Sequence, residues 1–244
     1  MDWFLMALAA LVIGISKTSV GGLGAIAVAI FALVMPTKES TAAVLLLLIV
    51  GDVIAVLRYR QHADWKLLLS LLPWVLPGLA LGAWFLARVD DTVLRRSIGV
   101  ILGVMVVIQL AQRWRGRHTR DEPAEKMHWA MAGVAGTAAG FTTMTANAAG
   151  PVMTLYLLAA KVDKLKFIGT GAWYFLIVNL SKVPFSYGLG LFPASTLRLD
   201  LLLAPMVVVG AFIGIRLVRH ISQQAFDQLA LAASVVAAIS LIVR

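Results

Sequence analysis

Apolar runs separated by short polar breaks recur along the whole chain. They fall at Asp2–Ile15, Leu23–Met35, Thr41–Leu57, Trp65–Ala87 and Val93–Ala111, and again at Met127–Ala139, Pro151–Ala160, Phe167–Tyr187, Leu199–Val218 and Phe226–Val243. None shows the alternation of a barrel strand, and a membrane-spanning backbone must satisfy its amides internally, so the runs predict helices. The first run, about 14 residues, makes roughly 21 Å of helix against a hydrocarbon core of roughly 30 Å. It is too short to span comfortably, and it stops at the polar segment GISKTSVGGLG, Gly14 to Gly24. A second such break, GFTTMTANAAGP, runs from Gly140 to Pro151.

These breaks are 126 positions apart, and Gly14 and Gly24 align with Gly140 and Gly150 at that one offset. Pro73, Gly78 and Gly82 reappear with identical spacing as Pro205, Gly210 and Gly214. Where the third run of the first half carries Asp52, its counterpart carries Asn179. The chain therefore reads as an all-α integral membrane protein of two repeats, 1–111 and 127–244, joined by a basic linker at 112–126. Five segments per repeat is an odd number, so the second repeat must lie inverted relative to the first. If the short pairs at 14–24 and 140–151 form re-entrant hairpins rather than two spans each, the count stays odd.

Composition agrees with a membrane protein: of 244 residues, 61% are hydrophobic and 14% charged. The net charge of +9 is best explained by basic loops, not by nucleic-acid binding, which needs a clustered basic face with aromatic platforms. Loops predicted on one side carry thirteen lysines and arginines, from Arg58, Arg60 and Lys66 through the linker to Arg216 and Arg219; the other side carries six. That bias places the linker in the cytoplasm and both termini outside. Met1-Asp2-Trp3 offers no basic n-region, so the first segment is expected to stay in the protein. With no cysteine and no metal-ligand spacing among His62, His118, His128 and His220, neither a metal nor any other cofactor is expected.

An ionisable side chain at the bilayer centre costs roughly 2.5 to 3.5 kcal/mol, so Lys17, Asp52 and Lys182 need a reason. Lys182 lies about one turn from Pro184, and its stem is long enough to snorkel to the interface. Small residues alone are explained by close helix packing, and serine or threonine commonly bonds its own helix backbone. That explanation suffices for Gly78, Gly82, Gly210 and Gly214. It leaves Lys17 unaccounted for, since packing does not need a lysine.

The functional reading has each break ending one short helix and starting another near mid-membrane, where helix ends with free N–H groups favour anions. Ser16, Lys17, Thr18, Ser19, Gly21, Gly22 and Gly24 from the first break, and Thr142, Thr143, Thr145, Asn147 and Gly150 from the second, are the candidate substrate-binding residues, with Asn179 and Lys182. Asp52 is either a coupling carboxylate or a fixed partner for Lys17, and the second role is favoured because one carboxylate among two lysines stays ionised. Two lysines against one aspartate leave a balance of about +1, which a small anion would complete.

The segments GISKTSVGGLG, GDVIAVLRYRQHADW, FTTMTANAAGPVMTLYLL and FIGTGAWYFLIVNLSKVPFSY resemble the sulfite exporter TauE/SafE family of bacterial inner-membrane transporters, over essentially the whole chain. The resemblance implies transport of sulfite, sulfoacetate or related small organic anions. It points to the cluster at Gly21, Gly22 and Gly24, to Asp52, to the turn from Asn147 to Pro151, and to Asn179 and Lys182. Many members have more glycine where this chain has Thr18, Ser19 and Val20. The expectation is a secondary transporter, not an enzyme, with a small anion and the lipid bilayer as its partners; a homodimer is left open. An uptake carrier, a channel of the same fold and, with least support, an intramembrane enzyme are the alternatives.

Overall fold

A computed structural model describes residues 3–19, 24–116, 129–160, 162 and 164–217 of the chain. These residues are helical, with no strand among them: α1 Trp3–Thr18, α2 Gly24–Val34, α3 Thr37–Tyr59, α4 Trp65–Arg88, α5 Asp91–Gly116, α6 Trp129–Ala146, α7 Gly150–Ala159, α8 Lys164–Gly188 and α9 Ala194–Leu217. The expected segment Phe226–Val243 lies outside the described residues. By length and composition three stretches among the described residues suffice to cross a membrane: Thr37–His62, Trp65–Arg88 and Ala194–Leu217.

Helix ends are set by short-range chemistry. Asp64 caps α4 by accepting from the backbone N–H groups of Lys66 and Leu67 at 3.1 and 3.2 Å. Asp90 accepts from Val93 N at 2.7 Å, at the start of α5. Asp91 reaches across to α3, where its carboxylate accepts from Thr37 N and Lys38 N at 3.1 and 3.2 Å, tying the start of α3 to the α4–α5 turn. At its far end α5 continues to Gly116, five residues into the segment expected to be linker.

The tightest packing crosses between the two halves of the sequence. Helix α1 lies along α9, and α4 along α6. In the first pair an ideal Cβ on Gly14 would stand 2.0 Å from Val207 O, one on Gly210 2.1 Å from Leu11 O, and one on Gly214 2.7 Å from Ile15 O. In the second, a Cβ on Gly78 would meet Thr137 O at 2.2 Å and one on Gly140 would meet Val75 O at 2.3 Å. Only glycine admits backbones this close. Contacts advance together along both chains of each pair, so α1 runs parallel to α9 and α4 parallel to α6. The third cross-half pair, α3 with α8, is antiparallel: Asp52 meets Asn179, Arg60 O accepts from Trp173 Nε1 at 3.4 Å, and Asp64 N donates to Thr170 Oγ1 at 2.8 Å.

One expectation is corrected here. Gly14 and Gly140 do not break their helices; α1 runs through to Thr18 and α6 to Ala146, so the breaks are narrower than 14–24 and 140–151. The reason is that both glycines serve the close helix contacts just described, as Gly78 and Gly210 do. The short helices are also hairpins. Helix α1 starts beside the start of α9 and α2 delivers the chain to Thr37 at the α4–α5 turn, both at the N-terminal end of α3. Helix α6 starts beside the start of α4, and α7 returns the chain to the start of α8, where a Cβ on Gly169 would meet Tyr59 O at 2.9 Å. Each hairpin thus leaves at the end where it entered, which is the re-entrant form of the expected arrangement.

Candidate functional site

One polar chain joins the tips of the two hairpins through α3 and α8. Lys17, in the last turn of α1, places Nζ 2.7 Å from Asp52 Oδ1 and 4.3 Å from the centre of the Phe175 ring. Asp52 is fully buried on α3, seven positions before Tyr59 at that helix's end. Its second oxygen, Oδ2, accepts from Asn179 Nδ2 at 2.6 Å. Asn179 Oδ1 in turn accepts from Lys182 Nζ at 3.3 Å. Lys182 also donates to Thr143 Oγ1 at 3.3 Å and to Asn147 Oδ1, and Asn147 Nδ2 donates to Thr41 O at 3.0 Å.

Local structure explains why these groups converge. Asn179 and Lys182 are three apart on α8 and so share one face. Asn147 directly follows α6 in the left-handed region, with φ of 50°, where asparagine is among the few tolerated side chains; that conformation turns the chain and aims the amide inward. Lys182 does not snorkel. It is 2% exposed, and its three acceptors hold the ammonium inside the bundle.

Electrostatically the two lysines differ. Asp52 is an ion-pair partner for Lys17, so these charges largely cancel. Lys182 is held by a hydroxyl and two amide oxygens, all neutral, and no carboxylate among the described residues lies within ion-pair distance of it. A positive charge on Lys182, between α6 and α8, therefore has no charged partner within ion-pair distance among the described residues.

Several hydroxyls predicted for the site are engaged by their own helices. Thr142 donates to Ala138 O at 2.8 Å, Thr145 to Phe141 O at 2.8 Å and Ser19 to Ile15 O at 2.6 Å. Thr18 Oγ1 donates across to Ala211 O at 2.8 Å, fastening α1 to α9, with Gly14 O 3.0 Å away. Ser16 Oγ accepts from Gly24 N at 3.1 Å, so the first amide of α2 is capped from α1. Gly150 starts α7, and a Cβ there would meet nothing within 4 Å. Gly21 and Gly22 lie outside the described residues. The sequence reading did not include Phe175, the Thr41 carbonyl or Asp200. The first two carry no polar or periodic signal; Asp200, a carboxylate at the edge of an apolar run, meets the same criterion that marked Asp52.

A buried lysine–carboxylate–amide–lysine chain linking two re-entrant hairpins defines an all-helical integral membrane protein with a charged centre. The chain belongs to the sulfite exporter TauE/SafE family, whose family model matches residues 6–241. This is a family of membrane transporters of sulfur compounds. Searches of curated proteins and of solved structures found no match to the chain.

Proposed function

We propose that the protein is a secondary transporter that exports sulfite or a small organosulfonate, with the anion bound at Lys182 between the two hairpin tips. The observation that carries this reading is the inequality of the two buried lysines: Lys17 is neutralised by Asp52, whereas Lys182 has only neutral oxygen acceptors. An isolated buried ammonium is costly, and a small oxyanion that enters beside it supplies the missing charge and accepts its hydrogen bonds. Asn147 and Thr143 are the ligands that the anion would displace or share, and Asn179 holds Lys182 in register with Asp52.

The antiparallel pairing of α3 with α8, and the opposite entry of the two hairpins, support alternating access by two inverted halves. Rocking one half against the other would expose the Lys182 site to each side in turn. The excess of basic residues on one face supports a cytoplasmic linker and outward termini in a bacterial inner membrane. With that polarity and a negative interior, moving one negative charge outward releases roughly 2.3 kcal/mol per 100 mV, so the voltage alone favours export.

Sulfite flux into vesicles reconstituted with the purified chain tests the reading. Flux through the native protein should saturate with sulfite concentration, and Lys182→Met should reduce it to the level of protein-free vesicles while eluting as a folded species. Undiminished saturable flux through Lys182→Met would overturn the site assignment.

A further inference from the structure

Asp200 is a second buried carboxylate, and nothing in the site uses it. It is 6% exposed on α9, and neither of its oxygens has a hydrogen-bond partner. It belongs to the stripe Thr196, Leu199, Leu203, Val207, Gly210, Ala211 and Gly214 by which α9 is buried. Helix α9 packs against α1 and α3. The charged residues on those helices are Lys17 on α1, and Lys38, Glu39, Asp52 and Arg58 on α3; α9 itself adds Arg198 and Arg216. Lys17 and Asp52 are paired with each other, and none of the seven hydrogen-bonds Asp200.

An ionised carboxylate with no partner, buried in a membrane protein, is the least favourable state such a side chain can take; it binds a proton instead. Its position ties that proton to the site. Val207 lies seven residues on, about 10 Å along the helix, and a Cβ on Gly51, next to Asp52, would contact Val207 at 3.6 Å. The same α9 is locked to the Lys17-bearing helix by the glycine contacts and by the Thr18 hydroxyl on Ala211 O at 2.8 Å. Helices α1 and α9 are therefore fastened to each other at the level of the site.

We infer that Asp200 is a proton-binding site of the transport cycle, loaded while the α9 face is closed and emptied when that face opens to water. On opening, water accepts the proton, the O–H bond breaks with its electron pair left on the carboxylate, and solvation supports the charge. Closing the face requires a proton to be taken up again. Anion movement through the Lys182 site is thereby coupled to proton binding at a residue about 10 Å along α9 from the level of Asp52. The coupling rests on the transporter reading above; the proton on Asp200 does not.

Two measurements separate these. In vesicles with the voltage clamped, changing the pH on the side to which the α9 face opens should change the initial rate of sulfite flux through the native protein by up to about tenfold per pH unit more than that through Asp200→Asn, as a single titrating carboxyl that loads and empties through that face requires. The variant should still exchange sulfite at equilibrium within about twofold of native, because Asp200 does not touch the anion site. Sulfite's own titration is common to both proteins, so their difference isolates the carboxyl. Equal responses in the two proteins would overturn the coupling. Independently, infrared spectra of the purified native protein should show the carbonyl band of a buried neutral carboxylic acid, absent from Asp200→Asn and shifted in Asp200→Glu. A native spectrum without that band would overturn the proton site, whatever the flux. Native vesicles with no saturable sulfite flux would overturn the transporter reading and leave the band to decide Asp200.

Discussion

The Asn179 amide donates to Asp52 Oδ2 at 2.6 Å, and through that one contact the two halves of the chain share their central carboxylate. Because the other Asp52 oxygen pairs with Lys17 and the other end of the Asn179 amide meets Lys182, changes at any of the four residues are coupled.

The Lys17–Asp52 pair should behave as a structural unit. Lys17→Ala leaves a buried carboxylate unpaired and should cost about 3 to 5 kcal/mol, whereas Lys17→Met combined with Asp52→Leu should recover most of that loss. Thermal unfolding of the purified single and double variants reads the difference. A double variant no more stable than Lys17→Ala would show that the pair is not the source of the effect.

Asn147 has two duties that a substitution can separate. Asn147→Gly keeps a residue at ease with φ of 50° while removing the amide that meets Lys182, so folding should survive and sulfite affinity should drop about tenfold. Asn147→Val imposes a β-branched side chain on the same backbone and should destabilise the protein as well. Thermal stability and concentration-dependent flux measured side by side distinguish the two outcomes.

Sulfite should stabilise the native protein against heat in proportion to its binding, by about 2.7 kcal/mol at a hundred times the dissociation constant. Lys182→Met should show no such increment, and Lys17→Met with Asp52→Leu should retain part of it. A chloride control at matched ionic strength removes the general salt effect.

Glycines at the cross-half contacts should not tolerate a methyl group. Gly78→Ala, Gly140→Ala and Gly210→Ala each drive a Cβ to within 2.3 Å of a carbonyl oxygen and should abolish or strongly weaken folding. Gly171→Ala, where a Cβ meets nothing within 4 Å, should be neutral or slightly stabilising, since alanine is the better helix former. The yield of monodisperse protein after detergent extraction ranks these four variants directly.

Much of this architecture was legible in the sequence because hydropathy reports the solvent a segment must face. Helices α1 to α9 follow the apolar runs to within a few residues, except α5 and α6, whose C-terminal ends run further, and α9, which starts five residues earlier. The sequence also marked Asp52, Asn179 and Lys182, since polarity inside an apolar run stands out. What it did not separate was the two uses of glycine: Gly14 and Gly140 were read with the breaks although they serve packing, because a lone glycine looks the same whether it frees φ or admits a neighbouring backbone. The partner of Lys182 was also hidden. A lysine near Pro184 has the same local pattern whether it reaches outward or inward, and only the fold shows Asn147 and Thr143 approaching it from another helix.

The glycine faces of α1 and α4 have a consequence for how the protein is made. Each faces a helix from the second half, α9 and α6 respectively, so during synthesis both enter the membrane before their partners exist. The first half can insert but cannot close; its grooves are filled by lipid until α6 and then α9 arrive. Assembly is therefore ordered from the middle of the chain outward, and a separately expressed first half should be a substrate for quality control unless the second half is supplied alongside it.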